Sequence, residues 1–346
     1  MERRRFLTRA GQTAAGAGLA GLAGCTSIDR LTGGGGQEEL ALAFQAPAET
    51  TDVNTWYGAR EIAPDEQGLE TTVKVFEGVD LAVQSVLAGE TSVARGSVTA
   101  AATVVESGKP FEFLIAPLRS TDYVLVTRPE IDSLEAIVEE DAVIGMSAPT
   151  GLDAVQVAAL MFETDLIDDV NELNFQRVGY SSARRGALLQ GDIDVSPQHY
   201  AQWLTMREEE PSLNVLAEFG QELDDWIQET FMAPAEVVER DRERIVPFLA
   251  AQLEANRRLY DDYENYRRLV QTYVPGGGPE EAILEQTYEF LTDIEIWPRN
   301  GGLSEASVDY MLDLSDRVGL TDERIPTGEA MNRGPLEEAL AEVGRV

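Results

Sequence analysis

Leu87-Ala88-Gly89-Glu90-Thr91-Ser92-Val93 and Leu189-Gln190-Gly191-Asp192-Ile193-Asp194-Val195 decide the fold of this 346-residue chain. Each stretch reads as a helix end, a glycine stop, an acidic residue and a short buried strand. A helix start follows each at once, at Ser97 and at Pro197. Two matching strand–helix units about a hundred residues apart suggest two lobes of one design. The competing account is coincidence, because this turn chemistry is common in α/β proteins.

Outward from these two units, strand and helix patterns alternate, as they do in α/β folds. Before the first unit come strands at 40–44 and 71–76 and a helix at 53–67 interrupted by Pro64. Val79, Val83, Val86 and Leu87 mark one face of a helix. Ser97 is placed as the N-cap of a helix through Val105, and 111–116 is a further strand. A second set begins with a strand at 123–126. It continues with a helix at 134–139, a strand at 142–146 and a helix from about Gly151 to Phe162. A strand near Phe175, a helix at 184–189, a strand at 193–195 and a helix from Pro197 follow. Residues 213–217 and 227–232 read as extended. After Pro234 the pattern turns to long charged helices, broken at 276–279 by Gly-Gly-Gly-Pro, with further helices at 283–291 and 308–318. The end of the chain reads as loosely structured.

The first residues carry an address. Arg3-Arg4-Arg5-Phe6-Leu7 has the order of a twin-arginine export signal, and 10–23 is a short Ala/Gly/Leu run. Leu22-Ala23-Gly24-Cys25 then reads as a lipobox. A run this short and Gly-rich falls short of the ~20 well-apolar residues a spanning helix needs. Cys25 is the only cysteine, so no disulfide forms within the chain and no Cys-based metal site exists. It is placed as a lipidation point, with cleavage before it leaving 322 residues. Gly33-Gly34-Gly35-Gly36 makes 25–39 a flexible tether between membrane and body.

Charge narrows the partners. There are 62 acidic and 27 basic residues, a formal charge of −35, and Lys74 and Lys109 are the only lysines. Such self-repulsion is relieved by salt, which fits a protein of an extreme halophile. Nucleic acid is excluded as a partner, since it requires basic patches. The composition is not that of a disordered acidic chain, because 43% of residues are hydrophobic and their periodicity is sustained.

The ordered set of motifs resembles the substrate-binding lipoproteins of ABC importers, in the branch that covers sulfonate, nitrate, taurine and thiamine-precursor binders. The matching pieces are the run from Leu87 to Ser97, the Leu125-Val126 strand and Ile131-Asp132-Ser133-Leu134. Val143-Ile144-Gly145-Met146-Ser147-Ala148-Pro149-Thr150-Gly151 and the run from Leu189 to Val195 complete it. The match spans roughly 40–235. The resemblance implies a type II periplasmic-binding-protein fold, α/β, with two lobes joined by two crossover segments and a ligand cleft between. The crossovers are expected near 120–127 and 228–234. Lobe one is then 40–122 plus 234–320, lobe two 123–230, and 321–346 a tail. An ABC permease and its ATPase are the implied partners.

In such sheets ligands sit beyond the carboxyl ends of strands, where helix N-termini point into the cleft and favour anionic or polar groups. Two such termini are Arg95-Gly96-Ser97 and Ser147-Ala148-Pro149-Thr150-Gly151. The expected solute contacts are therefore Arg95, Gly96, Ser97, Thr150 and Gly151, although Ser97 and Thr150 also serve as plain helix caps. Arg95 suits a carboxylate, sulfonate or phosphate, or equally one of the chain's own acids. His199, the only histidine, and Tyr200 fall at the cleft edge of lobe two. Trp56 and Tyr57 open the first helix, Thr50 lies in the preceding loop, and Phe231 lies on a crossover as a cleft wall. With one His and no Cys partner, no His-based metal site is expected.

No catalytic motif is present: neither G-x-S-x-G, nor a P-loop, nor H-E-x-x-H. The reading is a receptor without cofactor that hands a small solute to a permease. A second reading is an enzyme of the thiamine-pyrimidine synthase type, which requires a pyridoxal-binding lysine at Lys74 or Lys109. A third is a sensor or scaffold lipoprotein on the same fold. The solute class stays open between a small anion such as a sulfonate and an aromatic heterocycle.

Overall fold

The computed structural model describes residues 39–109, 111–149 and 151–346. The expected signal at 1–24, Cys25, Thr150 and all of the expected tether but Glu39 lie outside the described residues. Ten strands organise the described residues: β1 (Leu40–Phe44), β2 (Thr71–Val75), β3 (Val93–Gly96), β4 (Phe111–Leu118), β5 (Tyr123–Thr127), β6 (Val143–Met146), β7 (Asn174–Arg177), β8 (Val195–His199), β9 (Asn214–Glu218) and β10 (Glu229–Pro234).

They form two five-stranded sheets of the same layout. The first runs β2-β1-β3-β10-β4 and the second β7-β6-β8-β5-β9. In the first, β1 pairs in parallel with β2 and β3, while β10 is antiparallel to β3 and β4. In the second, β6 pairs in parallel with β7 and β8, while β5 is antiparallel to β8 and β9. The two repeated stretches thus lead into equivalent strands, β3 and β8. Gly89 (φ 74°) and Gly191 (φ 78°) supply the left-handed stop in each.

The sheets exchange one strand each. The chain leaves β4, passes through 119–122 and enters the second sheet between β8 and β9 as β5. It leaves β9, passes through 219–228 and re-enters the first sheet as β10. Both inserted strands are buried along their whole length. Residues 228–234, expected as a crossover, are therefore mostly strand, because Phe231, Met232 and Ala233 are core residues of the first sheet.

Three local differences from the sequence reading have clear causes. The helix expected from Pro197 begins at Tyr200, and the strand runs through His199. The bonds Tyr200 N→Asp122 O and Arg128 N→Asp194 O set the register, and leave Pro197 opposite Leu125 in a non-bonded pair. Its missing N–H faces β6, which pairs with β8 only at Val195, so no ladder bond is lost. The 53–67 helix divides into Val53–Tyr57, a π turn Gly58–Ile62 and Ala63–Glu66, and the π turn accommodates Pro64. The end of the chain is not loose. The helix Gly334–Val343 starts with Pro335 in its first turn and buries Leu336, Ala339 and Leu340 against the helix Arg242–Arg258.

Among the described residues, no helix is long and apolar enough to cross a membrane.

Candidate functional site

A cluster of buried charge lies at the carboxyl ends of β1 and β3. Arg95, next to the last residue of β3, is fully buried. It lies level with Phe44 of β1 and Phe231 of β10. Its guanidinium sits 4.4 Å over the Phe44 ring. Arg95 Nη1 meets Asp52 Oδ2 at 2.6 Å and donates to Thr55 Oγ1 at 2.6 Å. Nε faces Glu229 Oε2 at 3.2 Å. A register shift in β10 lies between Glu229 and Phe231. Gln45 Nε2 donates to the other Glu229 oxygen at 2.7 Å. Burial works against the Arg95 charge, but Asp52 and Glu229 outweigh it and hold the guanidinium ionised. Both carboxyls are pushed up, first by burial, with Arg95 pulling down on each.

A second ion pair joins the lobes. His199, at the end of β8, donates from Nδ1 to both Asp122 oxygens at 3.0 and 3.1 Å. Asp122 lies in the first link, and Thr51 of lobe one donates to its Oδ2 at 2.7 Å. One carboxylate therefore receives hydrogen bonds from both lobes. Tyr123 and His199 face each other in a non-bonded pair of the β5–β8 ladder, which brings their rings to 4.1 Å. Burial alone pushes His199 down; the Asp122 carboxylate overrides it and pushes the pKa up to about 9. Asp122 in turn is lowered, because His199 and the Thr51 hydroxyl outweigh its burial.

Glu49 stands between these pairs. Its side chain is open to solvent, yet burial raises its pKa, and it feels His199, Asp52, Asp122 and Arg95. An accessible carboxylate with protein on most sides is the signature of a group lining a cleft.

Lobe two has its own buried arginine. Arg184 pairs with Asp153 at 3.1 Å and donates to Gly179 O, Ser181 Oγ and, twice, to Pro197 O. Asp153 also accepts from Ser147 N and Ser147 Oγ, both at 2.5 Å, just before the helix Leu152–Glu163. A glutamine clasp ties the links to this lobe. Thr121 donates to Gln156, Gln156 donates to Gln228, and Trp226 Nε1 donates to the same Gln228 oxygen.

The expected site residues divide accordingly. Arg95 and His199 both act on Glu49, and Thr50, its neighbour in the chain, is buried. Ser97 is a buried N-cap whose oxygen accepts from Ala100 N at 3.2 Å. At Gly96 a Cβ would collide with Val79 Cγ2. Gly151 is the N-cap of Leu152–Glu163, packed against Ser147 and Asp153. Trp56 lies edge-on to Phe44 at 5.1 Å and stacks on Tyr273 at 5.9 Å. Tyr57 packs under Arg268 at 5.8 Å. Tyr200 stacks on Phe290 at 4.0 Å. Phe231, expected as a cleft wall, is instead core: it is fully buried against Phe44 and Phe248, because its strand lies inside the first sheet.

Glu49, Asp52, Asp122, Glu229, Asp153 and Arg184 were not singled out from sequence. One signal was readable: Glu229 is a charge in a segment that reads as extended and leads into Phe231-Met232-Ala233, where a charge is rarely buried without a partner.

No family model matches the chain, and no curated protein matches it by sequence. Solved structures do match. The periplasmic nitrate-binding protein of Synechocystis superposes with a TM-score of 0.71 at 12% identity, over 88% of this chain and 89% of that one. The periplasmic aliphatic sulphonate-binding protein of Escherichia coli gives 0.65 at 12% identity, over 86% and 92%. A zinc-bound ligand-binding component of an ABC-type import system from Staphylococcus aureus gives 0.69 at 10% identity, over 88% and 99%. The chain has the type II periplasmic-binding-protein fold that its sequence resemblance implied, and sulfonate- and nitrate-binding proteins are among the structures it is similar to.

Proposed function

We propose that this chain is the solute-binding receptor of an ABC importer. In this reading it is exported by the twin-arginine signal, held at the outer face of the cell membrane through a lipid on Cys25, and passes its solute to a permease. The observation that carries it is the gathering of Glu49, Arg95 and His199 from both lobes around Asp122, which accepts from Thr51 on one side and His199 on the other. A solute bound there touches both lobes and favours the arrangement in which they meet. The lobes in this proposal are the sheet β1–β4 with β10 and the C-terminal helices, and the sheet β5–β9.

The enzyme reading has less support. Lys74 is engaged at the surface with the Glu90 carbonyl at 3.0 Å, and Lys109 is exposed, so neither lysine joins the cluster.

The test is thermal unfolding of the full chain in high salt with sulfonates, nitrate, taurine and pyrimidines. A receptor gains stability from a saturating solute, about 2.7 kcal/mol at a hundred times Kd. The compound must come back chemically unchanged. Conversion of a stabilising compound, followed by mass spectrometry, would overturn the receptor reading in favour of the enzyme.

A further inference from the structure

Both features expected to receive an anion in the cleft are already filled by the chain's own carboxylates. In lobe one, Arg95 is flanked by Asp52 at 2.6 Å and Glu229 at 3.2 Å. In lobe two, the segment leading into Leu152–Glu163 gives its Ser147 N–H and hydroxyl to Asp153, whose remaining charge is met by Arg184 at 3.1 Å. His199 is likewise committed to Asp122. Each cation of the cluster already stands against a carboxylate of the chain, although Arg95 Nη2 is buried without a hydrogen bond.

What is left over is negative. Glu49, Asp52, Asp122 and Glu229 outnumber Arg95 and His199 by two. The Glu49 carboxylate is accessible and has no ion pair among the described residues; its backbone N–H donates to Asp52 Oδ1 at 2.8 Å and its carbonyl accepts from Asp52 N at 3.3 Å. A second, independent feature points the same way. Glu229 is more than nine-tenths buried, yet its Oε2 receives no hydrogen bond, because Arg95 Nε lies off the bonding direction. A buried acceptor without a donor is costly unless something supplies one. Donor groups that also carry positive charge satisfy both needs at once.

We propose that the cleft takes a solute bearing a positive charge, such as an ammonium or amidinium group, with Glu49 as its direct counter-ion and Glu229 Oε2 as a second acceptor. The inference rests on the receptor reading and fixes the charge of its solute. It sets aside the small-anion alternative raised by Arg95.

The experiment is calorimetric titration and thermal shift on the full chain at one fixed high concentration of sodium chloride. Agmatine, benzamidine and tetramethylammonium form the cationic arm, methanesulfonate, nitrate and taurine the anionic and zwitterionic arm, and cytosine the neutral arm. At least one cationic probe should bind, and Glu49→Gln should weaken it at least tenfold without lowering the melting temperature of the free protein. Glu236→Gln, an exposed acid on the helix after the far end of β10, should leave binding unchanged. Binding by an anion with no cation bound would overturn the charge assignment and leave the receptor reading standing. So would cation binding that is indifferent to Glu49→Gln. Silence in all three arms would overturn both.

Discussion

Arg95 and Arg184 are both buried, both paired with a carboxylate, and each belongs to a different lobe. Burial and ion pairing do not distinguish them; the hydrogen bonds do. All three nitrogens of Arg184 donate, four times to neutral oxygens, and its single carboxylate partner is held by Ser147 as well. It is a finished structural joint. Arg95 has two carboxylates and one hydroxyl, and its Nε and Nη2 make no hydrogen bond. Buried charge that is fully satisfied marks scaffold, whereas buried charge with unmet donors and acceptors marks a place where something else binds.

The largest effect should come from the finished joint. Arg184→Ala leaves Asp153 as an uncompensated buried charge and should cost roughly 3–5 kcal/mol in guanidinium unfolding. A loss below about 1 kcal/mol would erase the distinction drawn between the two arginines. The pair between the regions comes next. The His199 pKa is raised from 6.5 to about 9, so its stabilising contribution is complete below 6.5 and is lost as pH rises through about 9. Stability should fall by about 3 kcal/mol across that window. Asp122→Asn should flatten this part of the pH profile, and a profile unchanged by that substitution would refute the pairing. The smallest effect separates the two lobes by its pH dependence. Arg95→Met leaves two carboxyls already shifted upward, which neutralise themselves by taking up protons. Its cost should be greater at pH 8 than at pH 5, because carboxyls whose pKa values are raised in the folded state take up protons at the lower pH. Equal cost at both values would show that Asp52 and Glu229 do not share the guanidinium.

Local chemistry was legible in the sequence; strand register was not. Ser97 could be placed as a cap because capping involves only the next three residues. The repeated glycine stops could be read because each acts on its own helix. Pro197 was misread as a helix start since its tolerance inside β8 depends on which side of the strand is left unpaired, a fact set by β5 and β6. The end of the chain reads as loosely structured in the sequence, whereas Gly334–Val343 is a helix. Arg95 was found, but its two partners were not. Asp52 and Glu229 reach it only because β1, β3 and β10 are neighbours in one sheet, and β10 arrives from the other end of the chain's path.

The stack of Tyr200 on Phe290, with ring planes 5° apart, joins the helix Tyr200–Glu209 of the second lobe to the helix Glu281–Asp293, which follows β10 in the chain. Ala201 and Leu204 add to it against Ile283. Two links alone let one body both swing and twist against another. A third point of contact on one side removes a degree of freedom. If the sheets part about residues 119–122 and 219–228, flat rings permit sliding in their own plane but resist tilting out of it. The opening then follows one axis, like a door on three hinges, and each closure returns Glu49 and His199 to the same register.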